Sequence, residues 1–323
     1  MLAEVQEHFG FTRDPQAAGF YETPYHRQFL RDLRSAIHAG KLIAFTGLVG
    51  SGKTLLLRQL QADLVAEKRV TVSKSLAVDK DCASLTTLIT ALFYDLSPEK
   101  DSRIPAQSEH RERALRDLVR KSKRPVVLFV DEAHDLHHKT LSGLKRLREV
   151  VADGDGVLSI VLAGHPRLRN ALMRPNMEEV GFRFAVFPFE GMFGHQAGYI
   201  AWLLGRCLSE GTDPASIIDP DAVDLLAARL RTPLQVERYL AMAFEETHRI
   251  GERVVTPAVI DAVLSRQLDD LEPRLTRYGY DVRSIADEFR VKPADVRLFL
   301  QGQLDPARTR ELTEQMLVAG LPV

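Results

Sequence analysis

Apolar and polar positions along this chain fall into two alternating kinds of block. Short, almost wholly apolar runs occupy 42–47 (LIAFTG), 126–130 (VVLFV) and 159–164 (SIVLAG), with a weaker run, VTVSKS, at 70–75. Runs of this length bounded by polar turns predict buried strands. Between them, apolar residues recur at helical spacing over 24–41, 54–68, 84–96, 110–123 and 139–151. In the first of these, Phe29, Leu33, Ala36 and Ile37 share one face and Gly40 is the stop. Strands alternating with longer helices predict an α/β fold with a mainly parallel sheet covered on both faces. Past Pro188 the strand pattern ends, and 196–208, 219–230, 234–250 and 256–268 read as helices. A last helix pair follows, with Ile285, Ala286 and Phe289 inward, a turn at 291–293, and then Val296, Phe299 and Leu300. Asp295 or the preceding turn starts the second of these helices. The expected organisation is an N-terminal segment and helix (1–40), an α/β domain (41–190), a helical domain (191–268) and a C-terminal helical unit (269–323). The polar, proline-containing stretch 97–109 reads as a surface loop.

Composition changes this picture little. Of 323 residues, 45% are hydrophobic and 27% charged, enough apolar material for one large core or two unequal ones. Forty-three basic residues face 44 acidic ones, so net charge neither marks nor excludes a nucleic-acid binder. Two cysteines, Cys82 and Cys207, build neither a disulfide scaffold nor a zinc cluster and are expected as buried free thiols. The start lacks the basic-then-apolar run of a signal peptide, and the longest apolar runs are far too short to span a bilayer. A soluble, cytoplasmic protein is the expectation.

Chemistry enters with GLVGSGKT at 47–54, which fills G-x-x-x-x-G-K-[ST] between a predicted strand and a predicted helix. Glycines let backbone N–H groups wrap a phosphate chain, and the helix start adds free donors and a positive dipole end. Gly47, Gly50, Ser51, Gly52, Lys53, Thr54 and Leu55 are the expected ATP-binding residues, with Lys53 reaching the β- and γ-phosphates and Thr54 ligating Mg²⁺. Asp131 and Glu132 follow VVLFV at the carboxyl end of a strand, where such sheets place their ligands. Asp131 is expected to hold Mg²⁺ and Glu132 to polarise the attacking water. The plain alternatives are a glycine turn and a solvated strand end, and the two motifs together argue against both. His134 completes the letters DEAH, which occur in some helicases, yet no other helicase motif accompanies it. His134, His137 and His138 lack a dictated further ligand, so zinc is a poor reading, and His134 reads instead as solvated or as a neighbour that supports the site. His165 ends another predicted strand and suits either a polar sensor of the γ-phosphate or a simple helix cap.

The order FGF…P…FY…HRQFLRDLRSAIHAGKLIAFTGLVGSGKT, then LFVDEAHDL, then LAGHPRLRNAL resembles the AAA+ ATPases grouped with ExeA and with the transposition regulators TnsC and TniB. The resemblance covers roughly 8–250. It implies a nucleotide-binding domain with a helical lid, assembly into homo-oligomers, and nucleotide at subunit interfaces completed by a neighbour's arginine. By position it implies that His165 is the polar sensor and Arg183 the arginine finger, with Arg174 the rival and an exposed surface arginine the plain alternative. TPLQVERYL departs from the usual second-sensor segment, leaving Arg231 and Arg238 as alternatives and implying slow or partner-dependent hydrolysis. The segment SIADEFRVKPADVRLFL resembles a helix-turn-helix that would present Lys292 and Arg297 to double-stranded DNA. Protein docking and simple packing remain alternatives for that unit.

The sequence therefore reads as an ATPase regulating DNA transposition, oligomerising on duplex DNA and recruiting or activating a transposase. Two alternatives share the nucleotide site: an ATPase of a secretion or envelope-assembly system, and a nucleotide-controlled protein-interaction switch.

Overall fold

A computed structural model describes residues 1, 3–75, 84–97, 104–264 and 270–323. Cys82, residues 98–103 of the stretch expected as a surface loop, and the last residues of the helix expected at 256–268 lie outside the described residues, and Ser108 and Glu109, expected in that loop, begin the helix Ser108–Ser122. The chain packs as two units. One comprises Met1–His26, Leu48–Gly52 and Glu190–Arg277, and the other Arg27–Gly47, Lys53–Phe189 and Tyr278–Val323.

The larger unit holds a five-stranded sheet: β1 Leu42–Gly47, β2 Thr71–Lys74, β3 Val126–Val130, β4 Leu158–Gly164 and β5 Phe184–Phe189. The spatial order is β2-β3-β4-β1-β5, and every pairing is parallel. β1, β3 and β4 are buried along their whole length, as their unbroken apolar runs require. From β1, Leu42 and Ala44 join a cluster with Leu88, Leu92, Leu115 and Leu144 from the helices Leu85–Leu96, Ser108–Ser122 and His138–Ala152. Phe45 points to the opposite face, where its ring meets Phe29 of the helix Pro24–His38 at 5.3 Å. Both faces are thus covered, which is how an all-parallel sheet is stabilised.

The sequence pattern did not mark β5. Its FAVFPF run contains Pro188, which cannot donate a ladder hydrogen bond and so argues against a strand. β5 resolves this by lying at the sheet edge, with Pro188 in register with Thr46 of β1.

The last part of this unit contains the helices Val282–Phe289, Pro293–Leu300 and Pro306–Val318. Ile285, Ala286, Val296, Phe299, Leu312 and Met316 are buried, whereas Phe289 and Leu300 are only partly so. Asp281 and Ser284 form a reciprocal cap on the first helix, and Arg290 ends it in the left-handed region at φ 55°. The turn, not Asp295, starts the second helix: Lys292 is its N-cap, Pro293 takes the first position, and Asp295 pairs with Arg308 at 3.1 Å. The third helix had no distinct signature in the sequence.

The smaller unit is helical. Helices Gln196–Cys207, Pro220–Arg229, Pro233–Arg249 and Pro257–Val263 enclose one core that includes Leu203, Leu226, Leu240, Phe244 and Ile260. The N-terminal helix Ala3–Phe9 belongs to this core. Phe9 and Phe11 set their rings 4.8 and 5.0 Å from that of Phe244. Helix Pro233–Arg249 starts with a reciprocal cap between Thr232 and Gln235 and proline at its first position. Cys207 is a buried free thiol. Among the described residues no helix is long and apolar enough to cross a membrane.

Candidate nucleotide site

Gly47 ends β1, and the helix Lys53–Glu67 begins after five intervening residues. The intervening turn is shaped by Gly50 and Gly52, at φ +73° and +94°, conformations that side chains with a Cβ rarely take. A Cβ added at Gly52 would meet nothing within 4 Å, so the loop is open where a phosphate chain would lie against its amides. Ser51 is 4% exposed, and its Oγ is buried with no hydrogen-bond partner. Such an atom is costly unless a ligand satisfies it. Thr54 lies in the first turn of the helix, and Leu55 is half exposed.

Lys53 is 6% exposed. Burial pulls its ammonium down to about 8, against the opposing pull of the Glu132 and Asp131 carboxylates. A bound polyphosphate would reverse this by surrounding the amine with negative charge.

Asp131 and Glu132 emerge where β3 ends. Asp131 Oδ2 accepts a hydrogen bond from Thr54 Oγ1 at 3.2 Å, and Asp131 Oδ1 accepts one from the Glu132 amide at 2.9 Å. The Thr54–Asp131 pair therefore offers two hard oxygen donors side by side, the donor chemistry that Mg²⁺ takes. Glu132 itself sits at φ 54°, ψ 35°, a left-handed conformation costing of order 1–2 kcal/mol for a residue with a Cβ. Strain of this kind persists where a side chain must be aimed.

The strand order adds a third participant. β4 runs between β1 and β3, so His165, immediately after β4, emerges between the phosphate-loop strand and the acidic pair. Its Nε2 lies 3.6 Å from Glu132 Oε2, and His134 Nδ1 lies 3.3 Å from the same oxygen. The two imidazoles stack with centroids 3.9 Å apart and 31° between planes. On its far side, His134 Nε2 is 3.6 Å from Asp135 Oδ1. Ligand atoms of Glu132, His134 and His165 all lie within 4.8 Å of one another. Two ring nitrogens thus approach one carboxylate oxygen at ion-pair distance. Of the two roles the sequence left to His134, solvated or supporting the site, its 3.3 Å approach to Glu132 fits the second.

The remaining sequence candidates are dispersed. Arg183 is exposed, just before β5. Arg174 is tied within its own chain to Glu288, a carboxylate only 7% exposed. In the smaller unit, the Arg231 guanidinium lies over the Phe193 ring, 5.4 Å from its centroid. Arg238 lines a cavity of about 340 Å³ together with Val49 of the phosphate loop, Leu234 and Arg277. Lys292 and Arg297 are exposed, at the start and within the last turn of the helix Pro293–Leu300.

Residues 36–172 match the AAA_22 family, described as an AAA domain. General secretion pathway protein A of Aeromonas hydrophila is 28% identical over 178 residues, which are 54% of this chain. The chain spans 31% of the length of that protein. Among solved structures, the ADP form of the ORC2 protein of Aeropyrum pernix superposes with a TM-score of 0.53 at 14% identity, covering 98% of this chain and 90% of that one. Cdc6p of Pyrobaculum aerophilum gives 0.52 at 15% identity, covering 96% and 89%. The fold is that of a P-loop AAA+ module.

Proposed function

We propose that this chain is a Mg²⁺-dependent ATPase that converts its nucleotide state into assembly with copies of itself, in the service of a secretion or envelope-assembly apparatus. The observation that carries the enzymatic part is the convergence of Thr54, Asp131, Glu132 and His165 beside the buried amine of Lys53. The likeness to General secretion pathway protein A supports the cellular role and favours it over the transposition reading.

In this mechanism the amides of residues 48–54 and the Lys53 ammonium bind and orient the triphosphate. Thr54 and Asp131 would hold a magnesium ion, which would supply charge neutralisation. Glu132 accepts a hydrogen bond from the attacking water and takes up its proton. His165 and His134 fix the carboxylate of Glu132 through its Oε2, so that one oxygen stays clamped and the other is left for water. Arg183 reaches the γ-phosphate of a neighbouring copy and offsets charge that develops during transfer. Assembly is stabilised by ATP because the triphosphate binds better when that arginine is present.

A second reading, an ATP-dependent regulator of DNA transposition acting on duplex DNA with a transposase, rests on the helix pair Val282–Phe289 and Pro293–Leu300, which leaves Lys292 and Arg297 exposed. One experiment separates the two. Self-association of the Glu132→Gln protein is measured by analytical ultracentrifugation with Mg²⁺-ATP, with and without random-sequence duplex. ATP-driven assembly that ignores DNA supports the first reading. Assembly that requires DNA supports the second, and an absence of ATP-driven assembly in both arms refutes the assembly mechanism itself.

A further inference from the structure

The group that faces Glu132 is itself held from outside the sheet. His165 is the N-cap of the helix Pro166–Leu172, and the chain segment leading into the C-terminal helices is laid along that helix. The Arg167 amide donates to the Tyr278 carbonyl at 3.3 Å. Gly279 lies directly against the His165 side chain: a Cβ there would stand 2.6 Å from both Cβ and Nδ1 of His165. Tyr280 is 1% exposed, and its hydroxyl oxygen accepts a hydrogen bond from Asn170 Nδ2 at 3.0 Å. The Arg167 guanidinium lies 6.0 Å from the centroid of the Tyr280 ring. Asn170 also donates to the Gly320 carbonyl at 3.2 Å, and Arg174 one turn further on binds Glu288.

These contacts centre on His165 and the short helix it caps. Gly279 takes φ +90°, a conformation that L side chains rarely adopt, at the point where the chain lies against His165. On the other side Gly164, at the end of β4, leaves room for His134: a Cβ there would stand 3.1 Å from the His134 amide nitrogen. The two stacked imidazoles therefore sit between backbone surfaces that leave them little freedom. Burying Tyr280 stabilises the segment, and the Asn170 and Arg167 contacts set its register along the helix Pro166–Leu172.

We infer that Gly279 and Tyr280 are positioning residues for ATP turnover, holding His165 against Glu132, so that the C-terminal helical unit controls the rate at which bound nucleotide is hydrolysed. This rests on the ATPase reading above. Neither residue touches the reacting atoms; both act through the imidazole. A partner that lifts the C-terminal unit from the helix Pro166–Leu172 would loosen the clamp and slow hydrolysis, leaving the phosphate loop and nucleotide affinity as they were.

The test uses the full chain. Gly279→Ala is expected to lower kcat by about 10²-fold, the effect of displacing a catalytic group by an ångström, with the Kd for Mg²⁺-ATP unchanged. In a His165→Ala background the same change should cost nothing further. Tyr280→Phe, which keeps the ring and removes the hydroxyl, should lower kcat less and in the same direction, and covers the case in which the alanine variant does not fold. A folded Gly279→Ala protein with parental kcat overturns the proposal, as does an equal loss with and without His165. Independently of turnover, the imidazole NMR signals of His165 should shift on Glu132→Gln in the parent and not in Gly279→Ala. If the parent hydrolyses no ATP, the enzymatic reading fails, and this NMR comparison alone then decides whether the segment positions the ring.

Discussion

Replacing Lys53 by methionine should make the nucleotide-free protein more stable while ending its ability to bind ATP. The amine is buried, and its proton affinity falls from the ordinary 10.5 to about 8 after the favourable pull of Glu132 and Asp131 is included. At 1.36 kcal/mol per pH unit, keeping the charged form folded at pH 7 costs about 3 kcal/mol. Methionine has similar length and no charge, so the variant is relieved of that cost. The sign with pH follows from proton counting. Between about 8 and 10.5 the unfolded chain keeps the Lys53 proton and the folded chain has lost it. The unfolded state then binds more protons, and this group's contribution to stability rises with pH. The cost is full below pH 8 and vanishes by about 10.5. Urea unfolding of parent and variant, followed by circular dichroism at several pH values, should show the variant ahead by about 3 kcal/mol at pH 7 and by about 1 kcal/mol or less at pH 10. A variant that is less stable at pH 7, or a difference that does not change with pH, would refute the account of Lys53 as a strained, phosphate-awaiting charge.

The same shift predicts that ATP binding at pH 8 takes up about half a proton, read from calorimetry in buffers of different ionisation enthalpy; no uptake would mean that Lys53 does not meet the phosphates. Glu132→Gln should bind Mg²⁺-ATP at parental affinity and hydrolyse it about 10²–10⁴-fold more slowly, whereas Glu132→Gly should be equally slow yet more stable by about 1 kcal/mol, because the left-handed backbone no longer carries a Cβ. Arg183→Ala should reduce turnover by about 10³-fold, and mixing it with Glu132→Gln subunits should restore part of the activity; turnover that no mixing rescues would place the arginine's effect within its own chain. Phe244→Ala should destabilise the helical unit by about 3–5 kcal/mol in a thermal melt, since its ring is fully buried between Phe9 and Phe11.

What local chemistry encodes was legible without coordinates. The phosphate loop needs contiguous residues in one order, so GLVGSGKT between an apolar run and a helical run identifies itself. The acidic pair after VVLFV is readable for the same reason, as is each buried strand made of unbroken apolar residues. Strand order is a different matter, because hydrophobic periodicity says that a strand is buried and not which strands flank it. Only the packed sheet put β4 between β1 and β3, and with it His165 beside Glu132. The stack of His134 on His165, the place of Phe9 and Phe11 in the helical core, and the contact of Gly279 with His165 join residues far apart in the chain. β5 was hidden because Pro188 is tolerated only at an edge, and an edge exists only once a sheet does. The sequence alone determined which groups could grip a triphosphate; folding decided what stands around them, since contacts between distant segments are set by which faces bury each other.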